Sequence, residues 1–522
     1  MDAMRMRSTV KGLRRVYKTV SSFGVGRGCR YLGFMLANAL LRGKQAFPPN
    51  AQPEVLLLSL PLSSPAQPPL GIASVKSYLA ERGIAARCMD LNNRLYRTLK
   101  NHREYPYDKL HHVFLDEGRL KEFHDSLYDG ILEGWAEEIV SLKPRFVGIS
   151  VNSHLTFSSL ARMVRLLRQS DPAIKVILGG PSCKSEGRAM MERDYGDVVV
   201  KGEGEKSFFE VIDACRHGRP LEGIPGILYK GDGGVVDAGE PTLVGDLDSL
   251  PFPDFDDFPI WSYQRAAMGL FPKLPIMGSR GCPARCDFCS VSFLWGRFRQ
   301  RSAKSIFAEM KRNKERYGVC DFSFNDSLIN VNPRVLEELC NLIIAGRETF
   351  RWNGSYRIWQ KPMSRSFFEK MARAGCSSLA IGVESGSERV RKSMRKPFTN
   401  ETLREELRGM HEAGIHSNLM FIIGHPTETA EEYDETLKIV EEVGPYIGSV
   451  SFGHTYLIVP ETPFWRGEIF PRISYDKKGD WYLGDNTMKE RLRRLDAANR
   501  FAARLGLVSS HSLLKTDRIK LP

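Results

Sequence analysis

Three cysteines within eight residues, Cys282, Cys286 and Cys289, are the side chains of this chain best spaced to do chemistry. They lie in Ser279-Arg280-Gly281-Cys282-Pro283-Ala284-Arg285-Cys286-Asp287-Phe288-Cys289-Ser290. Spacings of four and three residues let three thiolates on one loop converge on a single polynuclear centre. A structural zinc closes its shell with four ligands, and no fourth Cys or His lies nearby. Three thiolates on three irons of a [4Fe–4S] cube leave the fourth iron open to a substrate or cofactor. The spacing therefore predicts Cys282, Cys286 and Cys289 as metal ligands.

The other seven cysteines (Cys29, Cys88, Cys183, Cys215, Cys320, Cys340 and Cys376) are scattered singly, several among apolar residues. A tight cluster with isolated companions indicates a metal site in a reducing compartment, not a disulfide framework, so a cytoplasmic location is expected. No run of about 18 apolar residues appears, and the longest candidate, Tyr31 to Leu41, is too short to span a bilayer. The net charge of +13 suggests nucleic acid until it is located. Residues 1–50 hold ten Lys and Arg against Asp2, which is +9, leaving +4 on the rest. The body is near balance, and no nucleic-acid partner is expected. The basic arm reads as a solvated amphipathic helix or a partly ordered tail. Its Val10, Leu13, Val16, Tyr17 and Val20 at helical spacing also admit a peripheral membrane contact.

The elements that must position the cysteines form two arrays. Apolar runs at Val55–Leu60, Ala85–Leu91, Phe146–Val151, Lys175–Leu178 and Asp197–Val200 alternate with helical patterns such as Gly71–Arg82 and Phe157–Gln169. Strand, helix, strand with glycines at the strand ends predicts a doubly wound, flavodoxin-like parallel sheet over residues 51–222. Such sheets take ligands at their carboxyl edge. Residues 223–270 read as a hairpin and an extended linker. Six further strand patterns, starting at Leu274, Phe322, Arg351, Ser378, Asn418 and Ser449, alternate with helices and predict a partial (β/α)6 barrel over 271–465. Residues 466–522 read as a short helical cap, with a helix from Thr487 to Leu505.

The segment Cys282 to Cys289, with Phe288 before the third cysteine and a barrel strand ahead of it, resembles the signature of the radical S-adenosylmethionine (SAM) superfamily. The resemblance implies that the open iron chelates SAM, whose reductive cleavage yields a 5′-deoxyadenosyl radical. It also implies an electron donor such as flavodoxin or ferredoxin. Phe324-Asn325-Asp326-Ser327 ends the second strand, where the family commonly contacts the SAM amino group. Gly382-Val383-Glu384-Ser385-Gly386-Ser387 is similar to the GxESGS stretch that contacts SAM. Ile423-Gly424-His425-Pro426-Thr427-Glu428-Thr429 resembles the fifth-strand turn near adenine. Asn325, Asp326, Glu384, Ser385, Gly424 and Pro426 are thus expected at SAM, with Arg357 a weaker candidate. Competing structural roles are a helix cap for Asp326 or Asn325 and a core ion pair for Glu384. Glycine is the more usual neighbour in the fifth-strand turn, and His425 is read as structural. No catalytic residue beyond the cluster and cofactor ligands is singled out.

Upstream, Pro68-Pro69-Leu70-Gly71, Gly148-Ile149-Ser150, Gly179-Gly180-Pro181 and Gly202-Glu203-Gly204-Glu205 occur in order. Together they look like the cobalamin-binding domain fused ahead of many radical SAM enzymes. Leu70, Gly71, Ser150, Gly179, Gly180, Gly202 and Glu203 are the expected cofactor contacts, since glycines at strand ends let a sheet edge approach a flat corrin. Pro61 to Gln67 lacks the histidine of the DxHxxG loop, so no lower ligand from that loop is expected. The combined resemblance covers residues 54–465. It implies a cobalamin-dependent radical SAM methyltransferase acting on a carbon of a small molecule or lipid, one SAM methylating the cobalt and a second generating the radical. Alternatives are cyclisation, oxidation or rearrangement without methyl transfer, and a non-enzymatic cobalamin or redox sensor. Methylthiolation of tRNA fits less well, because Cys88, Cys183 and Cys215 do not match the extra cysteines of those relatives.

Overall fold

A computed structural model describes residues 52–263 and 272–509. The basic arm of residues 1–50, with the membrane contact expected of it, lies outside the described residues. The described chain divides into two compact units. One runs to Pro283 and takes in Val291–Arg301; the other holds Ala284–Ser290 and continues from Ser302. Among the described residues no helix is long and apolar enough to cross a membrane.

In the first unit five short apolar segments form a parallel sheet: β1 (Val55–Ser59), β2 (Ala86–Asp90), β3 (Phe146–Ser150), β4 (Lys175–Gly179) and β5 (Val198–Val200). Every residue of β1 is buried, as a strand covered on both faces requires. The spatial order is 2-1-3-4-5, extended by an antiparallel hairpin, β6 (Ile227–Gly231) and β7 (Gly234–Asp237). This is the doubly wound order the sequence predicts. The strands end in register, Ser59 beside both Asp90 and Ser150, and Ser150 beside Gly179. One carboxyl edge therefore gathers the strand-end residues.

Two segments differ from expectation. The segment between β2 and β3, to which the sequence reading assigns no element, folds into helices, among them Leu91–Leu99, Glu117–Phe123 and Asp129–Ser141. Their Leu95, Leu99, Phe123, Leu132 and Ile139 join the core, while a wide polar face obscures the period in the sequence. The linker is likewise bound down. Phe255, Phe258, Ile260 and Tyr263 are buried. Its acids pair with a buried cation, Lys76, at 3.2 Å from Asp254 and 2.7 Å from Asp257. The Tyr263 hydroxyl donates to Asp90 at 2.6 Å. After it come β8 (Leu274–Ile276) and a short antiparallel pair, β9 (Ser279–Arg280) and β10 (Arg299–Gln300), which closes the base of the cysteine segment.

The second unit holds β11 (Asp321–Phe324), β12 (Arg351–Tyr356), β13 (Cys376–Glu384), β14 (His416–Ile423) and β15 (Ser449–Thr455), parallel and adjacent in sequence order. Helix boundaries follow from local chemistry. Ser302 caps Ala303–Tyr317, and Gly318 ends it at φ +65°. Asn332 caps Pro333–Ala345, with proline in the first turn. Thr429 and Glu432 form a capping box on Ala430–Val443. The cap region adds a hairpin, β16 (Ser474–Tyr475) and β17 (Trp481–Tyr482), the helix Met488–Arg504, and β18 (Val508–Ser509) beside β15. Arg491 of that helix is buried, with its guanidinium 3.6 Å from the Trp481 ring centroid.

Two carboxyls of this unit make its stability pH-dependent. Burial pushes Glu406 and Glu428 up to about 7 from an ordinary 4.5. Between those values the folded chain holds protons that the unfolded chain has released. Stability therefore falls as pH rises, by up to about 1.4 kcal/mol per pH unit for each group. Urea unfolding from pH 5 to 8 should show the decline, and Glu406→Gln should flatten part of it. An unchanged slope in that variant would contradict the burial argument.

Candidate cofactor site

At the carboxyl edge of the first sheet, a Cβ added to Gly71 or Gly179 would meet nothing within 4 Å. The edge is open over both. Gly180 has φ +105°, and a Cβ there would lie 2.7 Å from the Val151 carbonyl, so only glycine fits the turn. Leu70 is buried at the start of its helix, and the Ser150 hydroxyl donates to Asn152 at 3.3 Å. Ser150, Gly179 and Gly180 lie at or just beyond strand ends, and Leu70 and Gly71 open the helix that follows β1.

Gly202 and Glu203 behave differently. A Cβ on Gly202 would lie 2.5 Å from Pro241. The Glu203 carboxylate, expected at the cofactor, is instead engaged inside the protein, 3.1 Å from Arg280 and 2.5 Å from Arg299. It also accepts the Val244 N–H at 2.9 Å. Glu205 takes the other side of Arg280 at 2.5 and 3.2 Å. Burial alone would raise the Glu205 carboxyl, but the Arg280 charge outweighs it and holds the group below its ordinary value. The two arginines are cross-strand partners on β9 and β10, so this turn clamps the base of the cysteine segment.

Within that segment Cys282 and Cys289 are half-buried and Cys286 is buried. Gly281 has φ +79°, and a Cβ would lie 2.9 Å from the Arg297 carbonyl, which explains a glycine directly before Cys282. Arg357, at the end of β12, donates from Nη1 to Cys286 Sγ at 2.9 Å and from Nη2 to the Arg395 carbonyl at 3.1 Å. The contact brings a positive charge onto the sulfur. Asp287 donates its N–H to Met394 and accepts from the Phe464 N–H at 2.8 Å. The isolated cysteines are of another kind. Burial pushes Cys320 up to about 11 and Cys340 up to about 12, and raises Cys88, Cys183 and Cys376. Among the described residues no three His, Cys, Asp or Glu side chains stand as a gathered metal set. The ligand assignment rests on the spacing and on the chemistry around Cys286.

Asn325 is exposed and Asp326 buried just past β11, and neither caps the next helix, which Asn332 does. Glu384 ends β13 at φ +68°, after a register shift, a conformation a non-glycine residue adopts only when its surroundings hold it there. Lys396 holds it, donating to Glu384 Oε1 at 2.6 Å and to the Gly382 carbonyl at 2.5 Å. Ser385 is fully buried and its hydroxyl serves the turn, accepting the Ser387 N–H at 3.1 Å. Buried Arg391 donates to the Ser385 carbonyl at 2.7 Å. Gly424 has φ +81°, leaves room for the Arg491 stem and donates its N–H to Glu428 at 2.9 Å, with Pro426 buried beyond it. Lys396, Arg391 and the second role of Arg357 escape the sequence, because each reads as one more surface charge.

The residues fit the groups that the resemblance implies: three thiols on one segment, one of them met by an arginine, and a glycine edge open to a planar ligand. Comparison with known proteins agrees. The family profile for the Radical SAM superfamily matches residues 276–440, and that for the B12 binding domain matches 122–212. An uncharacterized methyltransferase of Pyrococcus horikoshii is 29% identical over 359 residues, covering 66% of this chain and 75% of that one. The anaerobic magnesium-protoporphyrin IX monomethyl ester cyclase of Rubrivivax gelatinosus is 25% identical over 314 residues, 59% of this chain and 56% of that one, so this chain spans just over half its length. The radical SAM methyltransferase TsrM of Kitasatospora setae, solved with cobalamin and a [4Fe-4S] cluster, shares the fold with TM-score 0.65 and 18% identity over 85% of this chain and 90% of that one. The cobalamin-dependent SAM radical enzyme OxsB, solved with aqua-cobalamin and SAM, has TM-score 0.57 and 18% identity, covering 87% of this chain and 56% of that one. The chain carries a radical SAM superfamily domain and, ahead of it, a B12-binding domain.

Proposed function

We propose that this chain is a cobalamin-dependent radical SAM C-methyltransferase acting on a small molecule. The observation that carries the reading is the presence of both domains in one chain, the B12-type sheet ahead of the cysteine segment and barrel. When bound, a [4Fe–4S] cluster supplies the electron that cleaves SAM, and cobalamin supplies a carrier for the methyl group. Residues 51–222 hold the cobalamin and residues 271–465 the cluster and SAM.

The chain's own residues do the positioning. Cys282, Cys286 and Cys289 hold the cluster, and Arg357 steadies the Cys286 sulfur. Asn325 and Asp326 meet the SAM amino group from the end of β11. Lys396 fixes the Glu384 carboxylate in its left-handed turn, where it faces SAM, and Gly424 and Pro426 shape the turn beside adenine. Gly71, Gly179 and Gly180, with Leu70 and Ser150, form the corrin edge. Glu203 acts at one remove, through Arg280 and Arg299. The enzyme works in the cytoplasm with an electron donor such as flavodoxin or ferredoxin, and the basic arm gives it a peripheral membrane contact.

A second reading, ring formation or oxidation without methyl transfer, is favoured by the relatives named as cyclases. Methyl-labelled SAM separates the two. A label that moves to substrate carbon is expected; SAM turnover that leaves the substrate unlabelled would favour the second reading.

A further inference from the structure

We propose that His425 is a positioning residue for the cysteine segment, fixing the side chain of Asp287, which follows Cys286 in the chain, and balancing its charge. The inference rests on the reading of the three cysteines as cluster ligands.

Geometry comes first. The His425 ring is fully buried, and Nε2 lies 3.3 Å from Asp287 Oδ2. Tyr456 packs edge-on against it with ring centroids 5.0 Å apart, and Phe464 follows at 6.4 Å. Asp287 itself is 5% exposed, so water does not readily replace a lost partner.

The ring's proton can be assigned. The Thr427 backbone N–H donates to Nδ1 at 3.3 Å. Nδ1 also lies 3.1 Å from the Thr427 hydroxyl, which can donate or accept; the peptide N–H only donates, and the tautomer that satisfies it has the lone pair on Nδ1 and the proton on Nε2, toward Asp287. In that tautomer His425 donates to the Asp287 side chain. The Tyr456 hydroxyl lies beside the same carboxylate; burial first, and then the Asp287 charge, raise that phenol.

Asp287 is consequently held at three points by three parts of the second unit. Its N–H bonds to Met394 at the end of a short helix, its carbonyl to the Phe464 N–H, and its side chain to the turn after β14. The two backbone contacts set its path, and the His425 contact adds control of charge.

The electrostatic consequence has a sign. Adding an electron to a cluster beside a negative carboxylate is harder when no donor compensates that charge. Removing the Nε2–H donor should therefore make reduction harder, and removing the carboxylate should make it easier. Loosened packing alone would shift both variants the same way.

The experiment is an anaerobic potentiometric titration of the reconstituted full chain, followed by the electron paramagnetic resonance signal of the reduced cluster. His425→Phe should lower the reduced-to-oxidised ratio at fixed potential about tenfold, which is about 59 mV for one electron. Asp287→Asn should raise the ratio. His425→Gln, whose amide N–H can reach the carboxylate, should stay within about threefold of wild type on the same scale. Equal midpoints for wild type and His425→Phe at full iron occupancy would overturn the proposal, as would shifts of one sign in His425→Phe and Asp287→Asn. If His425→Phe takes up no iron, Asp287→Asn still decides, since an unchanged midpoint there removes the charge effect. Wild type without a cluster would overturn the cysteine reading itself, and is seen before any variant is compared.

Discussion

Cys286→Ala should reduce bound iron from about four atoms per chain to a small residue and lower reductive SAM cleavage by about a thousandfold or more. Cys286 is the buried member of the three and the one whose sulfur receives the Arg357 guanidinium. Removing it takes away one of three ligands and leaves the buried Arg357 guanidinium without one of its partners. Iron analysis and the yield of 5′-deoxyadenosine read the two effects separately. Cys340→Ala is the control. Burial holds that thiol in its protonated form, so the variant should retain full iron. Equal iron in Cys286→Ala and wild type would contradict the ligand assignment, and loss of iron in both variants would point to misfolding.

Glu203→Ala should destabilise the first unit by about 3–5 kcal/mol, the usual effect of removing one partner from a buried ion network. The side chains of Glu203, Arg280 and Arg299 are 3%, 8% and 4% exposed, so solvent screens the pairs little. The loss comes mainly from leaving Arg299 with its charge inside and from the unmet Val244 N–H. Urea unfolding measures it. Adding Arg299→Met should destabilise by less than its effect alone, because the two side chains share one interaction. A loss below about 1 kcal/mol is the range of an exposed pair and would contradict burial of the network.

The sequence carries the fold well where the pattern is local. The all-buried Val55–Ser59 and the glycines at positions 179 and 180 each follow from one short stretch, and the parallel, doubly wound sheet follows from alternating strands and helices. The cysteine spacing is local in the same sense. What escapes is pairing between distant residues. Glu203 sits in a glycine-rich turn that suggests a ligand contact, yet its partners Arg280 and Arg299 lie far along the chain. Lys396 is one basic residue in Arg395-Lys396-Pro397 until β13 delivers Glu384 to it. The linker reads as extended, and nothing local shows that its acids meet a buried Lys76. His425 is the sharpest case: a histidine that reads as structural within its own turn gains a specific partner only when Asp287 is folded against it.

Cobalamin and iron content of protein purified and reconstituted without oxygen, read by absorption spectrum and metal analysis, decides whether one chain holds both cofactors. Near-stoichiometric cobalamin together with about four irons per chain is expected. Four irons without cobalamin would contradict the methyl-transfer account and leave a radical SAM enzyme of the oxidative or rearranging kind.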